Sequence, residues 1–404
     1  MTRTDPTSGP ADAGRPGPPL RSPAAGATAA PASPGAAGTA PGAAGRPAGR
    51  PAPRRPATGR PEPAPASRTP SAAAPAAAPG APPRAAAEPG PPAPPVLAEV
   101  VRSGFTESRH RGSLVLLAAD GSELLALGEV TAPVYPRSAA KPMQAAAMLR
   151  AGARLSGERL ALAAGSHSGE PFHLELVAAV LADAGLSEAD LCTPPALPLD
   201  PAEAETLLAS GGRPSRMAMD CSGKHAGMLT ACVTAGWPTD GYLSPDHPLQ
   251  RLVRDAIESA TGERVAHTGT DGCGAPLMAV SLTGLARAYR RYALAGPGSP
   301  ERLVADAMRA HPEYVAGTRR HDTWLMREVP GALAKVGAEA VQAVALPDGR
   351  ALALKVEDGG GRAVGPVLRR ALRLLGVDGS LPERLGDAPV LGGGLRVGEI
   401  RASF

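Results

Sequence analysis

Only four lysines stand beside 38 arginines in this chain: Lys141, Lys224, Lys335 and Lys355. Arginine keeps its proton in a protein, whereas a buried lysine can give its proton up and act as a base. A chain that uses arginine for generic positive charge therefore marks its lysines as candidates for chemistry. Ser138-Ala-Ala-Lys141 lies at a predicted helix start, where residues i and i+3 share a face and the amine can reach the hydroxyl. A neutral Lys141 would take the Ser138 proton and give a nucleophile without histidine. The helix N-terminus would favour negative charge developing beside it. Gly165-Ser166-His167-Ser168-Gly169-Glu170 crowds two hydroxyls and an imidazole behind an apolar run; its plain alternative is an N-cap for the next helix. Lys355 stands on an otherwise apolar strand ahead of a Gly-rich turn, and Lys335 is a similar case on the preceding strand. A lone lysine on a buried strand is costly unless paired or functional.

Asp220-Cys-Ser-Gly-Lys-His-Ala-Gly227 packs thiol, ammonium and imidazole together, and Asp271-Gly272-Cys273-Gly274 supplies a second, glycine-flanked thiol. Two thiols near a Lys or His can bind zinc. No C-x-x-C pair is present, however, so residue types alone favour buried inert thiols, with Cys192 and Cys232 as core. Other motif readings fail: His311-Pro312-Glu313 has no P-C-x-x-C after it, and there is no P-loop, G-x-S-x-G or H-E-x-x-H.

The elements that must position these groups follow from periodicity. Strands are predicted at 96–101, 113–119 and 123–130, with Asp120-Gly121 as a turn. A helix runs from Pro136 to about Gly152, followed by a buried apolar run at 158–165 that is either strand or helix end. Helices are expected at 171–185, 201–210, 224–235, 248–261, 277–296, 299–310 and 364–375, with a Gly-rich turn at 269–276. Strands at 331–336, 339–347 and 350–357 close the pattern. Strands, a long helical middle, then strands is an α+β plan, mainly antiparallel, whose sheet joins both ends of the domain.

Composition sets the domain limits. Of 404 residues, 1–95 hold 26 of the 47 prolines, no aromatic residue, ten arginines and four acids. Such a segment cannot bury enough apolar area to offset its ordering entropy, so 1–95 is expected to be disordered and 96–404 to form the domain. The alternatives for the tail are a nucleic-acid arm, or a frame artefact with translation starting nearer Val96. The tail carries about +6 of the net +4, so the remainder is slightly acidic. No 18-residue apolar run or secretory h-region exists, and four irregularly placed cysteines suit a reducing compartment, so the expected location is the cytoplasm, without membrane contact.

Ser138-x-x-Lys141-Pro-x-Gln144, Ser166-His167, Met219 to Gly227, Thr270-Asp-Gly-Cys-Gly-Ala-Pro276, Gly317-Thr318 with Asp322-Thr323, Lys335-Val-Gly-Ala-Glu339 and Leu354 to Gly359 occur in this order. Over 96–380 the series resembles the asparaginase II family, the thermolabile rhizobial type of L-asparaginase. The resemblance implies hydrolysis of L-asparagine to L-aspartate and ammonia on a fold similar to serine β-lactamases and penicillin-binding proteins. It implies two Ser–Lys pairs, carried over as Ser138 with Lys141 and Ser166 with Lys355, with Ser168 an alternative to Ser166. It also implies a metal-capable cluster at Cys221, Lys224 and Cys273, with zinc the candidate metal and no organic cofactor. His167, His225 and Asp271 are the candidate substrate-binding residues. A homodimer is compatible with the family, though no residue here requires it, and nucleic acid is not an expected partner. Three features depart from the family: the tail, the end at 380–404, and Ala340 where glycine is expected.

The chemistry expected is an acyl-enzyme. One serine attacks the side-chain amide, its lysine serves as base and then protonates the departing ammonia, and backbone N–H groups near the helix start or the 359–361 turn hold the oxyanion. Which serine attacks stays open at this level. The rivals are a glutaminase or penicillin-interacting acyl-serine enzyme, although no S-D-N element lies between Ser138 and Lys335, and a silent binding protein with a nucleic-acid-contacting tail.

Overall fold

The computed structural model describes residues 93–377, 379 and 381–404. The expected disorder of 1–95 therefore falls almost wholly outside the described residues.

Eleven strands are described: β1 (Val96–Arg102), β2 (Phe105–Leu117), β3 (Glu123–Leu127), β4 (Pro133–Val134), β5 (His267–Thr270), β6 (Pro276–Ser281), β7 (Leu333–Gly337), β8 (Val341–Ala345), β9 (Ala351–Val356), β10 (Pro389–Gly392) and β11 (Leu395–Ala402). The main sheet runs β10-β11-β1-β2-β9-β8-β7, antiparallel throughout, with β3 pairing β2; a smaller sheet runs β4-β6-β5. Both ends of the domain meet in one sheet, as the α+β reading requires. The helices are α1 (Lys141–Arg150), α2 (Gly157–Ala163), α3 (Pro171–Asp183), α4 (Pro201–Ala209), α5 (Ser222–Ala235), α6 (Pro248–Thr261), α7 (Leu282–Ala293), α8 (Pro300–Ala310), α9 (Pro312–Val315), α10 (His321–Glu328) and α11 (Val364–Leu374).

One expectation is corrected. Residues 277–296 are a strand and then a helix: Leu277 to Ser281 form β6, and the Ser281 hydroxyl accepts from Gly284 N–H to start α7. A continuous apolar run reads alike in both states. The apolar run at 158–165, open between strand and helix end, is mostly α2. Residues 105–112, between two predicted strands, and the Gly/Pro-rich end, for which no element is predicted, form the first half of β2 and the hairpin β10–β11. In Phe105–Gly112 the buried positions carry polar residues, so burial alternates although hydrophobicity does not.

Helix α7 presents Leu282, Leu285, Ala286, Tyr289 and Ala293 on one stripe, at the spacing that buries a helix face, and packs on β2, β8 and β9. Tyr289 then donates its hydroxyl to Ala139 O at 2.8 Å, tying this central helix to the turn that carries Ser138. That turn lies against β7. A Cβ at Gly337 would stand 2.4 Å from Pro136 O, so only glycine permits the approach.

The β7–β8 turn holds Glu339 at φ +59° and Ala340 at φ +54°. This left-handed conformation costs a residue with a Cβ roughly 1–2 kcal/mol, which explains why glycine is the residue expected at 340. Ala340→Gly is expected to stabilise the chain by about 1 kcal/mol, read as a higher urea midpoint with an unchanged slope. An unchanged or lower midpoint would show that the turn is not strained.

Candidate active site

The segment Pro136 to Ala140 folds as a single 3-10 turn, Arg137–Ala140, leading directly into α1 at Lys141. Arg137 enters it at φ +51°, a strained conformation of the kind that persists where surrounding structure fixes it. Ser138 is 9% exposed, and among the described residues no hydrogen bond holds its Oγ. Lys141 is fully buried. Its Nζ donates to Gly165 O at 2.6 Å and to Ser166 Oγ at 2.8 Å, and Asp220 Oδ2 stands 3.9 Å away. Ser166, 3% exposed, is fixed through its own N–H, which donates to Val315 O at 2.7 Å. The structure thus pairs Ser166 with Lys141. Lys355 Nζ lies elsewhere, donating to Glu339 O at 2.8 Å and Val356 O at 2.7 Å, so the expected Ser166–Lys355 pair does not form. Ser168 gives its hydroxyl to Ala316 O at 2.7 Å, which spends it on packing.

Lys335 is the group that the motif reading noticed without placing in the site. It is fully enclosed on β7, donates to Val336 O at 2.7 Å and lies 3.8 Å from Asp322 Oδ2. Burial pulls its pKa down to about 7; Asp322 opposes that shift and nearby Lys141 reinforces it. Burial alone would raise Asp322, but Lys335, His321 and the Val336 N–H outweigh it and keep the carboxyl low. An ionised aspartate beside a lysine that is half neutral near pH 7 is a proton-handling arrangement.

Behind these groups, Cys221 and Cys273 form a small buried cluster with Ala275. Lys224 Nζ donates to Cys273 Sγ at 3.1 Å. A hydrogen bond from Cys221 holds the Cys273 thiol far below its ordinary pKa against the cost of burial, with Lys224 adding to the effect. The same contact and burial push Cys221 up. Burial disfavours the Lys224 cation, but the two sulfurs outweigh it and raise its pKa. Asp271 lies 3.7 Å from Cys273 Sγ and accepts from Arg137 Nε at 2.9 Å; Asp220 lies 3.5 Å from Cys221 Sγ, and through Lys141 it faces the serines. The thiol pair therefore sits between the two carboxylates that flank Arg137 and Lys141.

His225, expected at the substrate, is fully enclosed behind the thiols. Its Nδ1 meets Tyr242 Oη at 2.7 Å, its Nε2 has no hydrogen-bond partner, and burial followed by Lys224 lowers it to about 4. His167 is enclosed as well. Its Nε2 meets Ser222 Oγ at 2.8 Å, and burial, then His173 and Lys141, hold it neutral. Both imidazoles support the site from behind; of the three expected substrate contacts only Asp271 adjoins the pocket, through Arg137.

That pocket, about 590 Å³, is lined by Arg137, the residue before Ser138; Ser138, Lys141 and Ser166 themselves are not part of its lining. Arg137, Glu339 and Lys355 line one part, with Arg137 Nη1 4.0 Å from Glu339 Oε1; Pro133, Val134, Leu277 and Ala279 line most of the rest, completed by Tyr135, His267 and Thr270. Cavities of about 670 and 690 Å³ elsewhere contain none of these side chains. The N–H groups of Gly359 and Gly360 are spent on Val356 O and Asp358 Oδ1, so of the 359–361 turn only the Gly361 N–H is left to hold an oxyanion.

A Ser138 hydroxyl without a hydrogen bond among the described residues, a Ser166 hydroxyl held by buried Lys141 and a further buried lysine drawn toward neutrality are gathered in one α+β domain. The L-asparaginase II family model matches residues 98–402, and the chain belongs to that family. No curated protein matches the sequence. Among solved structures it is similar to Mglu in its native form, at 15% identity and a TM-score of 0.38 over 67% of this chain and 66% of that one. It is also similar to a β-lactamase from Mycobacterium bovis, at 14% identity and a TM-score of 0.38 over 66% and 94% of the two chains. A putative β-lactamase from Bacteroides dorei DSM 17855 matches at 16% identity and a TM-score of 0.35 over 65% and 93%. Among the described residues no helix is long and apolar enough to cross a membrane.

Proposed function

We propose that this chain hydrolyses the side-chain amide of L-asparagine to L-aspartate and ammonia through an acyl-enzyme on Ser138. The observation that carries the reading is the Lys141–Ser166 contact at 2.8 Å, made from the residue three after Ser138, whose hydroxyl has no hydrogen bond among the described residues. Ser138 Oγ attacks the amide carbon as Lys141 takes its proton. Ser166 Oγ passes a proton to the nitrogen, the C–N bond breaks and ammonia leaves. Water then cleaves the ester and restores the Ser138 hydroxyl. Arg137 and Lys355 offer positive charge to the α-carboxylate and Glu339 a negative one to the α-ammonium, a pattern that suits a free amino acid.

The donors of the thiol cluster fit zinc. They are two sulfurs and an amine once Lys224 has lost its proton. Among the described residues no three His, Cys, Asp or Glu side chains converge as a conventional metal site, so Lys224 would have to complete the set. A zinc ion there would supply fixed positive charge between Asp220 and Asp271; the chain's own residues carry the reaction.

Ammonia release by the full chain, with L-Asn and L-Gln in parallel and zinc measured by native mass spectrometry, tests the reading. Turnover of Asn well above Gln, with one zinc lost in Cys273→Ser, is expected. No ammonia from either amide would overturn the amidohydrolase, and an intact metal-free mass would overturn the zinc.

A further inference from the structure

We infer that the site accepts secondary amides: asparagine whose side-chain nitrogen carries an apolar substituent, released as a primary amine. The inference rests on the reading above and deepens it. A pocket of about 590 Å³ lies within the roughly 300–1,000 Å³ that encloses a drug-sized ligand, far more than free asparagine fills.

Its surplus has one chemical character. Beyond the charged end lie Pro133, Val134, Leu277 and Ala279, contributed by the small sheet β4-β6-β5, with the rings of Tyr135 and His267 tilted against each other at 6.2 Å. This wall is preformed. Tyr135 lies over Gly269, where a Cβ would stand 2.7 Å from its Oη, so the ring occupies space that only glycine leaves. Every part of free asparagine beyond its short carbon chain is polar, so the wall has nothing to bind in that substrate.

The charges at the other end decide where a substituent can sit. Arg137, Lys355 and Glu339 complement a carboxylate and an ammonium together. Acylating the α-nitrogen would remove the only positive group of the ligand and leave Glu339 facing a neutral amide. The amide nitrogen is the position that keeps both charges. The chemistry balances as before: the bond from Ser138 Oγ to the acyl carbon forms, the C–N bond breaks, the amine leaves with the proton passed from Lys141 through Ser166, and water completes hydrolysis to aspartate.

The test compares N4-benzyl-, N4-methyl- and unsubstituted L-asparagine, with Nα-acetyl-L-asparagine alongside, on the full chain, reading aspartate by chromatography. The benzyl and methyl compounds share an alkylamine leaving group and differ in apolar size. The expected result is a kcat/KM about tenfold or more higher for benzyl than for methyl, with Val134→Trp bringing the benzyl-to-methyl ratio close to one. Asparagine hydrolysis with methyl equal to or better than benzyl would overturn the inference alone, as would equal slowing of all substrates by Val134→Trp or preference for the acetylated compound. Failure of every amide would overturn the amidohydrolase reading with it.

Discussion

Ser138→Ala is expected to lower kcat by about 10⁴-fold or more while leaving the thermal midpoint almost unchanged. The two halves of that result come from one observation: the Ser138 Oγ is held by no hydrogen bond among the described residues, so removing it costs little packing and all of the nucleophile. Ser166→Ala should behave in the opposite sense. It strips Lys141 Nζ of a buried acceptor at 2.8 Å, a loss of about 0.5–1.5 kcal/mol for an ordinary hydrogen bond. It should slow turnover by about 10²–10⁴-fold, the usual worth of a positioned proton relay. Intact-mass analysis after an acid quench separates the roles, because an aspartyl adduct can form in Ser166→Ala and never in Ser138→Ala. Turnover surviving in Ser138→Ala, or an adduct mapped to Ser166, would reverse the assignment of nucleophile and relay.

The site was legible in the sequence to the extent that its chemistry is local. Ser138 and Lys141 lie three residues apart in one turn, and the scarcity of lysine drew attention to all four of the buried or half-buried amines that the fold uses. The partnerships were not legible, because they depend on offset across a sheet. Lys335 and Lys355 are matched through Ala343 and Val341 of the strand between them, which puts them on one face, two strands and two residues apart. That is roughly 12 Å, enough for one lysine to lie buried beside Asp322 while the other lines the pocket. No spacing in a single sequence reports that offset. The glycine missing at 340 was legible as an anomaly, and its meaning became physical only with the left-handed φ. The hairpin β10–β11 stayed hidden because Gly392-Gly393-Gly394 masks a strand pair whose alternation is mostly of charged residues.

Lys335→Arg should cost about 10²–10⁴-fold in kcat/KM and remove a limb of the pH profile. The wild-type lysine, pulled down to about 7 by burial, is neutral on the alkaline side of that value and can accept a proton there. Activity that uses it therefore rises as pH passes upward through about 7. Arginine keeps the charge opposite Asp322 and cannot become neutral, so the variant should be slow at every pH and flat through that range. Stability carries the same signature with a defined sign. The ordinary lysine value is 10.5, so between about 7 and 10.5 the unfolded chain holds a proton that the folded chain has released. Unfolding then takes up a proton, and the contribution of Lys335 to stability grows as pH rises through that window and is constant below it. Lys335→Met leaves Asp322 unpaired at every pH but abolishes this slope, so its urea midpoint should fall further behind wild type at pH 9 than at pH 6. A Lys335→Arg enzyme with the wild-type rate and an unshifted acid limb would show that Lys335 only braces Asp322, and that Lys141 handles the proton alone.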